Sequence, residues 1–200
     1  VYGLDKGLED EVDFLVLNPM EHAELSKITL ATGADFGWNT AAYDYQSSFA
    51  ASINTLYGDL APYMYTFADH CSRLVAGWAS TGRTDAPEVR ELMDLMMSKV
   101  AKGEDAEAEI NALNEEFDSM IQAADTLQAE LPSDQLSHCS GNLDKLRALG
   151  ENDKTALQLF LEKHADNRNE EQIQSMSAQL QGILSSLQSG KLVSEQTALA

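Results

Sequence analysis

A helical periodicity runs through the chain after Asn39 and restricts the folds that it can adopt. In residues 104–131 the apolar side chains recur at alternating steps of three and four, which places them along one face of a helix. Such a stripe is stable only when it packs against other helices. These apolar positions are Ile110, Leu113, Phe117, Met120, Ala124, Leu127 and Leu131.

The same pattern recurs in residues 133–146 and 173–187, and Pro87 fits the first turn of a further helix. Ser133 is a suitable N-cap. We therefore predict a bundle of five or six helices joined by short loops. The predicted breaks are Gly58-Asp59, Gly77–Gly82, Gly103, Pro132-Ser133, Gly150 and Asp166–Asn169.

The beginning of the chain has a different pattern. The short apolar run Val12–Leu17 ends at Asn18-Pro19, which is typical of a strand buried on both faces. A helix from Glu21 to about Trp38 follows. A single strand cannot form a parallel sheet, so we expect its partners to lie upstream of Val1, in a longer polypeptide from which this piece is cut.

The net charge excludes one class of function. The chain has 33 Asp and Glu against 13 Lys and Arg, a formal net charge of -20, and its cations are scattered one at a time. Binding nucleic acid requires clustered cations, so we predict no nucleic-acid partner. No apolar run approaches the roughly 20 residues that span a bilayer, so we predict no membrane segment.

Known catalytic and metal-binding patterns are missing from the sequence. It has no Glu-x-x-His pairs, no His-Glu-x-x-His, no Gly-x-Ser-x-Gly and no phosphate-binding loop. The histidines His22, His70, His138 and His164 stand alone, so we predict no metal, no cofactor and no catalytic residue in this chain. Cys71 and Cys139 are expected to be buried thiols on apolar helix faces, with a disulfide as the alternative.

Two residues are candidates for binding a ligand. Asn18 is a polar amide at the carboxyl end of the predicted strand, the end that faces the substrate in barrel enzymes. Trp78 is a large aromatic residue at a glycine-rich break. The alternatives are helix capping for Asn18 and core packing for Trp78.

Four stretches carry a resemblance to a known family. Over roughly residues 5 to 95 the chain resembles bacterial O-GlcNAcase-like enzymes, the family 84 β-N-acetylglucosaminidases that are often labelled hyaluronidases. The stretches are Asn18–Lys27, Ala34–Asn39, Tyr57–Ala61 and Phe67–Arg73.

The resemblance implies a fold and a division into domains. In that family a (β/α)8 catalytic barrel precedes a helical bundle. The expected fold is therefore mainly α, a helical bundle preceded by the last strand-helix unit of the barrel. Residues 1–40 would be the C-terminal remnant of the barrel, and residues 41–200 the post-catalytic helical bundle.

The resemblance also implies an activity. Family members hydrolyse terminal β-linked N-acetylglucosamine with retention, using the substrate's own acetamido oxygen as nucleophile. Their two adjacent catalytic aspartates match no position here, so we expect this chain alone to be inert. Asn18 matches the asparagine that binds sugar hydroxyls, and Trp78 matches an aromatic residue on the leaving-group side. His22, Glu24, Ser26 and Lys27 match the motif as capping and packing residues at the start of the helix.

The partner implied is a glycoconjugate containing N-acetylglucosamine, bound through the upstream barrel of a secreted or cell-surface bacterial protein. Two further hypotheses come from the residues themselves. The helical part is alternatively a non-catalytic interaction or spacer module, because residues from Asp85 onward show no chemistry. The other hypothesis is self-association of the isolated piece, in which the unpaired strand edge pairs with a second copy.

Overall fold

The computed structural model describes residues 4–19, 22–71, 86–165 and 167–188. Within those residues the secondary structure is helical and no strand is present, so the mainly-α prediction is confirmed. The α-helices are α1 Ala23–Trp38, α2 Tyr45–Tyr57, α3 Ala61–His70, α4 Pro87–Lys102, α5 Glu107–Glu130, α6 Ser133–His164 and α7 Glu170–Gln188, and two short 3-10 helices span Leu8–Asp10 and Gly58–Leu60.

The chain divides into two compact units. The first consists of Val1–Asp85 and Thr126–Ser140, and the second of Ala86–Asp125 and Gly141–Ala200. The first unit thus contains α1 to α3, the end of α5 and the start of α6. The boundary between residues 40 and 41 that the family resemblance implies stays a prediction.

In the first unit α1 packs on α2, and α2 packs on α3. Phe36, Ile53 and Met64, one from each helix, are almost completely buried. Asp44 caps α2 by accepting a 2.8 Å hydrogen bond from the Ser47 N–H. The helix ends at Gly58, whose φ of 53° lies in the left-handed region that suits glycine. The predicted break at this position is confirmed.

In the second unit the apolar stripe of α5 lies in the core as predicted. Leu113, Phe117 and Met120 are at most 2% exposed. Ion pairs between α5 and α6 show that the two helices run antiparallel, because Asp125 pairs with Arg147 at 3.0 Å and Asp118 pairs with Lys154. Other predicted features are also present: Pro87 opens α4, Gly103 with a φ of 70° ends it, and α7 carries the buried Met176.

Two predictions about α6 are wrong. Gly150 does not interrupt the helix but lies within it, because the helix needs a residue without a side chain at that point. A β-carbon there would lie 2.8 Å from the Phe117 carbonyl oxygen and 3.0 Å from Ile121 Cγ1. Ser133 is the first residue of α6 rather than its cap, since the Pro132 carbonyl already accepts the hydrogen bond of the first turn from the Leu136 N–H.

Two further expectations need correction. The run Val12–Leu17 is not in a strand, because no described segment offers it a hydrogen-bonding partner. Cys139 is buried as predicted, but Cys71 is exposed, because α3 ends at His70 and Cys71 lies just beyond the helix. No disulfide joins these two cysteines.

A largely buried ion pair joins the last turn of α4 to the first turn of α5. Lys99 Nζ donates to Glu109 Oε1 at 2.6 Å, and Glu109 is only 8% exposed. The other carboxylate oxygen, Oε2, is buried and has no hydrogen-bond partner among the described residues. The hydrogen bond from Lys99 lowers the pKa of the Glu109 carboxyl. Each charge also lies at the helix end that favours it.

This pair predicts a pH dependence of stability. Because the pKa of Glu109 is lower in the folded state than its ordinary 4.5, the pair stabilises the protein above about pH 4.5 and loses that effect as the pH falls through the folded-state value. Urea denaturation of Lys99→Met at pH 7 and at pH 3 should therefore show a smaller loss of stability on acidification than wild type. Lys154→Met, which breaks a more exposed pair, is the control; equal losses in wild type and Lys99→Met would contradict the prediction.

Candidate functional site

The segment before Asn18 lies along α1. A β-carbon on Gly33 would be 2.9 Å from Leu17 Cδ2 and closer still to Cδ1, and one on Gly37 would be 3.9 Å from Leu15 Cδ2. Two residues of extended chain span about 6.6 Å, and four residues of helix rise about 6.0 Å. Leu15 and Leu17 can therefore pack onto successive turns of α1, with the segment running antiparallel to the helix.

The alternate residues of the same segment point away from α1. Phe14 is 76% exposed and Val16 is 74% exposed, whereas Leu17 is half-buried against Gly33. Asn18 continues the even-numbered series, and it is also exposed. The segment thus has one side on the helix and a second, apolar side without a described partner, and Asn18 lies at the carboxyl end of that second side.

The chain is fixed again just after Asn18, at the start of α1. His22 is the residue that precedes the helix, and its carbonyl accepts a 3.0 Å hydrogen bond from the Ser26 N–H. Its imidazole stacks on that of His138 in α6, with 4.1 Å between ring centroids and 30° between ring planes. Asn18 therefore lies between two anchored points, Leu17 and His22.

The other motif residues near Asn18 have structural roles, but not all of the predicted ones. Glu24 forms an ion pair with Lys27 one turn later, and Ser26 is only 2% exposed. Capping and packing were expected of these residues as a group; His22 occupies the N-cap position, but its side chain makes no capping hydrogen bond to the helix. The ring is turned toward His138 instead.

Two residues close in sequence to the stacked histidines, Glu24 and Cys139, interact electrostatically with Tyr57. Tyr57, at the end of α2, has a pKa raised chiefly by burial and further by the charges of Cys139 and Glu24. Burial also raises the pKa of the Cys139 thiol. We refer to His22, Glu24, Tyr57, His138 and Cys139 as the histidine cluster. Because burial holds the Tyr57 phenol and the Cys139 thiol in their neutral forms near pH 7, neither is suited to act as a nucleophile there.

Several predicted features lie elsewhere or outside the described residues. Trp78 is outside them, so the structure does not test its placement. Among residues 4–19, 22–71, 86–165 and 167–188, no three His, Cys, Asp or Glu side chains come together as a metal site would require. None of the helices in that part of the chain combines the length and apolar character needed to cross a bilayer.

Two residues that shape this site were not recognised from the sequence. Gly33 allows Leu17 to approach α1, and a glycine inside a helix is costly enough to have indicated such a close approach. His138 has no comparable signal. Its relation to His22 depends on bringing together residues 116 positions apart, and His138 lies outside the four stretches that carry the family resemblance.

Two family models and two solved structures match the chain. Residues 1–69 match the family model described as beta-N-acetylglucosaminidase, and residues 88–200 match the one described as hyaluronidase post-catalytic domain-like. The solved structure of CpGH84B is 28% identical, with a TM-score of 0.83 over 94% of this chain and 32% of that chain. The structure of CpGH84D, at 22% identity, shows a similar fold with a TM-score of 0.70 over 90% of this chain and 29% of that one.

The chain thus spans about a third of the length of these two solved structures. The post-catalytic family model alone covers more than half of the chain. The chain therefore belongs to the hyaluronidase post-catalytic domain-like family and is related to the O-GlcNAcase-like family 84 glycoside hydrolases.

Proposed function

We propose that this chain is the C-terminal part of a β-N-acetylglucosaminidase that removes terminal β-linked N-acetylglucosamine from glycoconjugates by a substrate-assisted, retaining mechanism. In this proposal the catalytic aspartates lie in an upstream barrel, and the chain alone is inert. The observation that carries the proposal is the position of Asn18, exposed at the carboxyl end of a segment that packs on α1 as a barrel strand packs on its helix.

The apolar side of that segment supports the presence of a barrel. Phe14 and Val16 are largely exposed, and exposed apolar side chains in series are costly unless another surface covers them. Neighbouring barrel strands would cover them, and Asn18 would then face the interior at the end of the barrel where substrates bind. Self-association through the same side, in the absence of the barrel, stays a prediction.

The proposed role of Asn18 is to hydrogen-bond sugar hydroxyls next to the scissile bond. An amide donates and accepts at once, so it can pair with hydroxyl groups in either sense. The side chain is neutral, so the charge of the proposed site would come from the catalytic aspartates of the upstream barrel. Trp78 is proposed to form part of the wall on the leaving-group side, and the helices after it to support that wall. Export of the protein from a bacterial cell is part of the same proposal.

Substitution of Asn18 tests the function. In the longest form of the protein that its gene encodes, Asn18→Ala should lower kcat/KM for an aryl β-N-acetylglucosaminide roughly 5- to 150-fold, which corresponds to about 1 to 3 kcal/mol for lost hydrogen bonds. The exposed amide Asn54 on α2 offers a matched control, and Asn54→Ala should leave kcat/KM unchanged. Urea denaturation of both variants would show that stability is preserved.

Two results would reject parts of the proposal. Equal kcat/KM for Asn18→Ala and wild type would remove Asn18 from the substrate site. No hydrolysis by the wild-type protein would reject the activity itself. The second candidate function, an interaction or spacer module, would then be favoured. It has one specific observation in its support, since α4 exposes Met93, Leu95 and Met97 by 39% to 48%, and flexible methionines suit adaptable binding surfaces.

A further inference from the structure

The stacked histidines join the start of α1 to α6 at the point where the candidate site is held. Asn18 lies one residue after Leu17, which is held against Gly33, and four residues before His22. His138 is in the second turn of α6, and its ring centroid is 4.1 Å from that of His22. Without this contact, His22 would be held only by its backbone at the start of α1, where its carbonyl accepts the hydrogen bond from the Ser26 N–H.

The two rings form an unusual contact because both can become charged. Neutral imidazoles can stack as other aromatic rings do. Imidazole side chains gain a proton between about pH 5 and 8, and two cations at this separation repel each other. Protonation of both rings therefore turns an attractive contact into a repulsive one.

A negative charge near the pair would reduce this repulsion. The neighbouring titratable groups are either paired with another residue, buried, or exposed to solvent. On α1, Glu24 is paired with Lys27. On α2, Tyr57 is half-buried, and on α6 the Cys139 thiol is buried. Asp134, one turn before His138, is exposed to solvent, as His138 itself is, so solvent screens both its attraction to His138 and the repulsion between the rings. Glu21 lies outside the described residues.

We propose that His138 is a positioning residue for Asn18, that it acts through the stacked ring of His22, and that the stack separates when both rings are protonated. The part of this proposal that concerns catalysis rests on the proposed function. The part that concerns the stack does not, so the two can fail independently.

A double-mutant cycle on this 200-residue chain tests the stack. The variants are His22→Gln, His138→Gln and the double substitution, with urea denaturation at pH 8 and at pH 5. At pH 8 we expect a favourable coupling of roughly two- to tenfold in the unfolding equilibrium constant. At pH 5 we expect the coupling to vanish or change sign. The cycle cancels the titration of all other groups.

The second stacked histidine of α6 provides a matched control. His164 stacks on Phe160 at 4.3 Å and 35°, a similar geometry with a partner that cannot be protonated. An imidazolium is attracted to an aromatic face, so the cycle of His164→Gln and Phe160→Leu should keep its favourable coupling at pH 5. A coupling between His22 and His138 that is absent at pH 8, or equal at the two pH values, would overturn the proposal for the stack.

Kinetics in the longest form of the protein test the positioning role. For an aryl β-N-acetylglucosaminide, kcat/KM of His138→Gln should be roughly two- to tenfold below wild type at pH 8. The proposal requires this difference to disappear at pH 5, because variant and wild type would then both lack the stack. His138→Phe keeps a ring without a charge and should restore wild-type kcat/KM at pH 8. The positioning role would be rejected if the ratio of kcat/KM between variant and wild type did not change with pH while the double-mutant cycle gave the expected coupling. The proposal for the stack would then still stand.

Discussion

Replacing Gly150 by valine should lower the free energy of unfolding by about 3 kcal/mol or more, because the new side chain would have to enter a filled space. The first atom added would already lie 2.8 Å from the Phe117 carbonyl oxygen, 3.0 Å from Ile121 Cγ1 and 3.2 Å from Met120 Cβ. The nearest of these atoms belongs to the backbone of α5, which cannot move without shifting the whole helix. Urea denaturation followed by circular dichroism would measure the loss.

Gly141 in the same helix provides the control. A β-carbon there would meet nothing within 4 Å, so Gly141→Ala should gain about 0.5 to 1 kcal/mol from better helix propensity. The two glycines differ only in their surroundings, and the opposite signs would therefore report on packing rather than on helix propensity. If Gly150→Val were as stable as wild type, α5 and α6 could not approach each other as closely as described.

Truncating Phe36 to alanine should cost about 3 to 5 kcal/mol, the range for removing a buried aromatic ring from a core. Phe36 is 2% exposed, and its ring meets that of Tyr43 edge-on with the centroids 5.3 Å apart and the planes at 90°. It lies on α1, one turn from Gly33, against which Leu17 packs. The substitution should therefore also loosen the segment that ends at Asn18.

Trp38, two residues further along α1, is the matched control. It is the larger aromatic residue but is 91% exposed, so Trp38→Ala should change the free energy of unfolding by no more than about 0.5 kcal/mol. Thermal or urea denaturation of both variants would compare them directly. A greater loss of stability for Trp38→Ala than for Phe36→Ala would mean that α1 buries Trp38 in the core instead of Phe36.

The helices were predictable because the spacing of apolar residues within each segment is enough to indicate a helix. The seam from Leu113 to Leu127 is buried where the sequence places it, and proline and glycine mark the ends of α4. A helix satisfies its own backbone hydrogen bonds, so its pattern does not depend on distant partners. Gly150 was misjudged for the complementary reason, since only a neighbouring helix decides whether a glycine breaks a helix or allows a close contact.

The strand-like segment illustrates the limit of local reasoning. The sequence predicted that residues 12–17 are buried on both faces, but only one side is covered among the described residues, with Leu15 and Leu17 on α1 and Phe14 and Val16 exposed. The sequence could not establish a strand, because a strand exists only through hydrogen bonds to a neighbour. The position of Asn18 at the end of the run followed from the pattern, whereas the approach of Leu17 to Gly33 and the stacking of His22 on His138 did not.

The sequence by itself therefore determined that the chain is mainly helical and acidic, with Asn18 at the end of an apolar run before α1. Periodicity, turn residues and charge are properties of the sequence, and they can be recognised without knowing which residues are in contact. Only the tertiary structure decided that Gly150 and Gly33 allow close contacts, that Cys71 is exposed, and that His22 stacks on His138. These are contacts between distant residues or consequences of where a helix ends, so they depend on the packed arrangement rather than on neighbours in the chain.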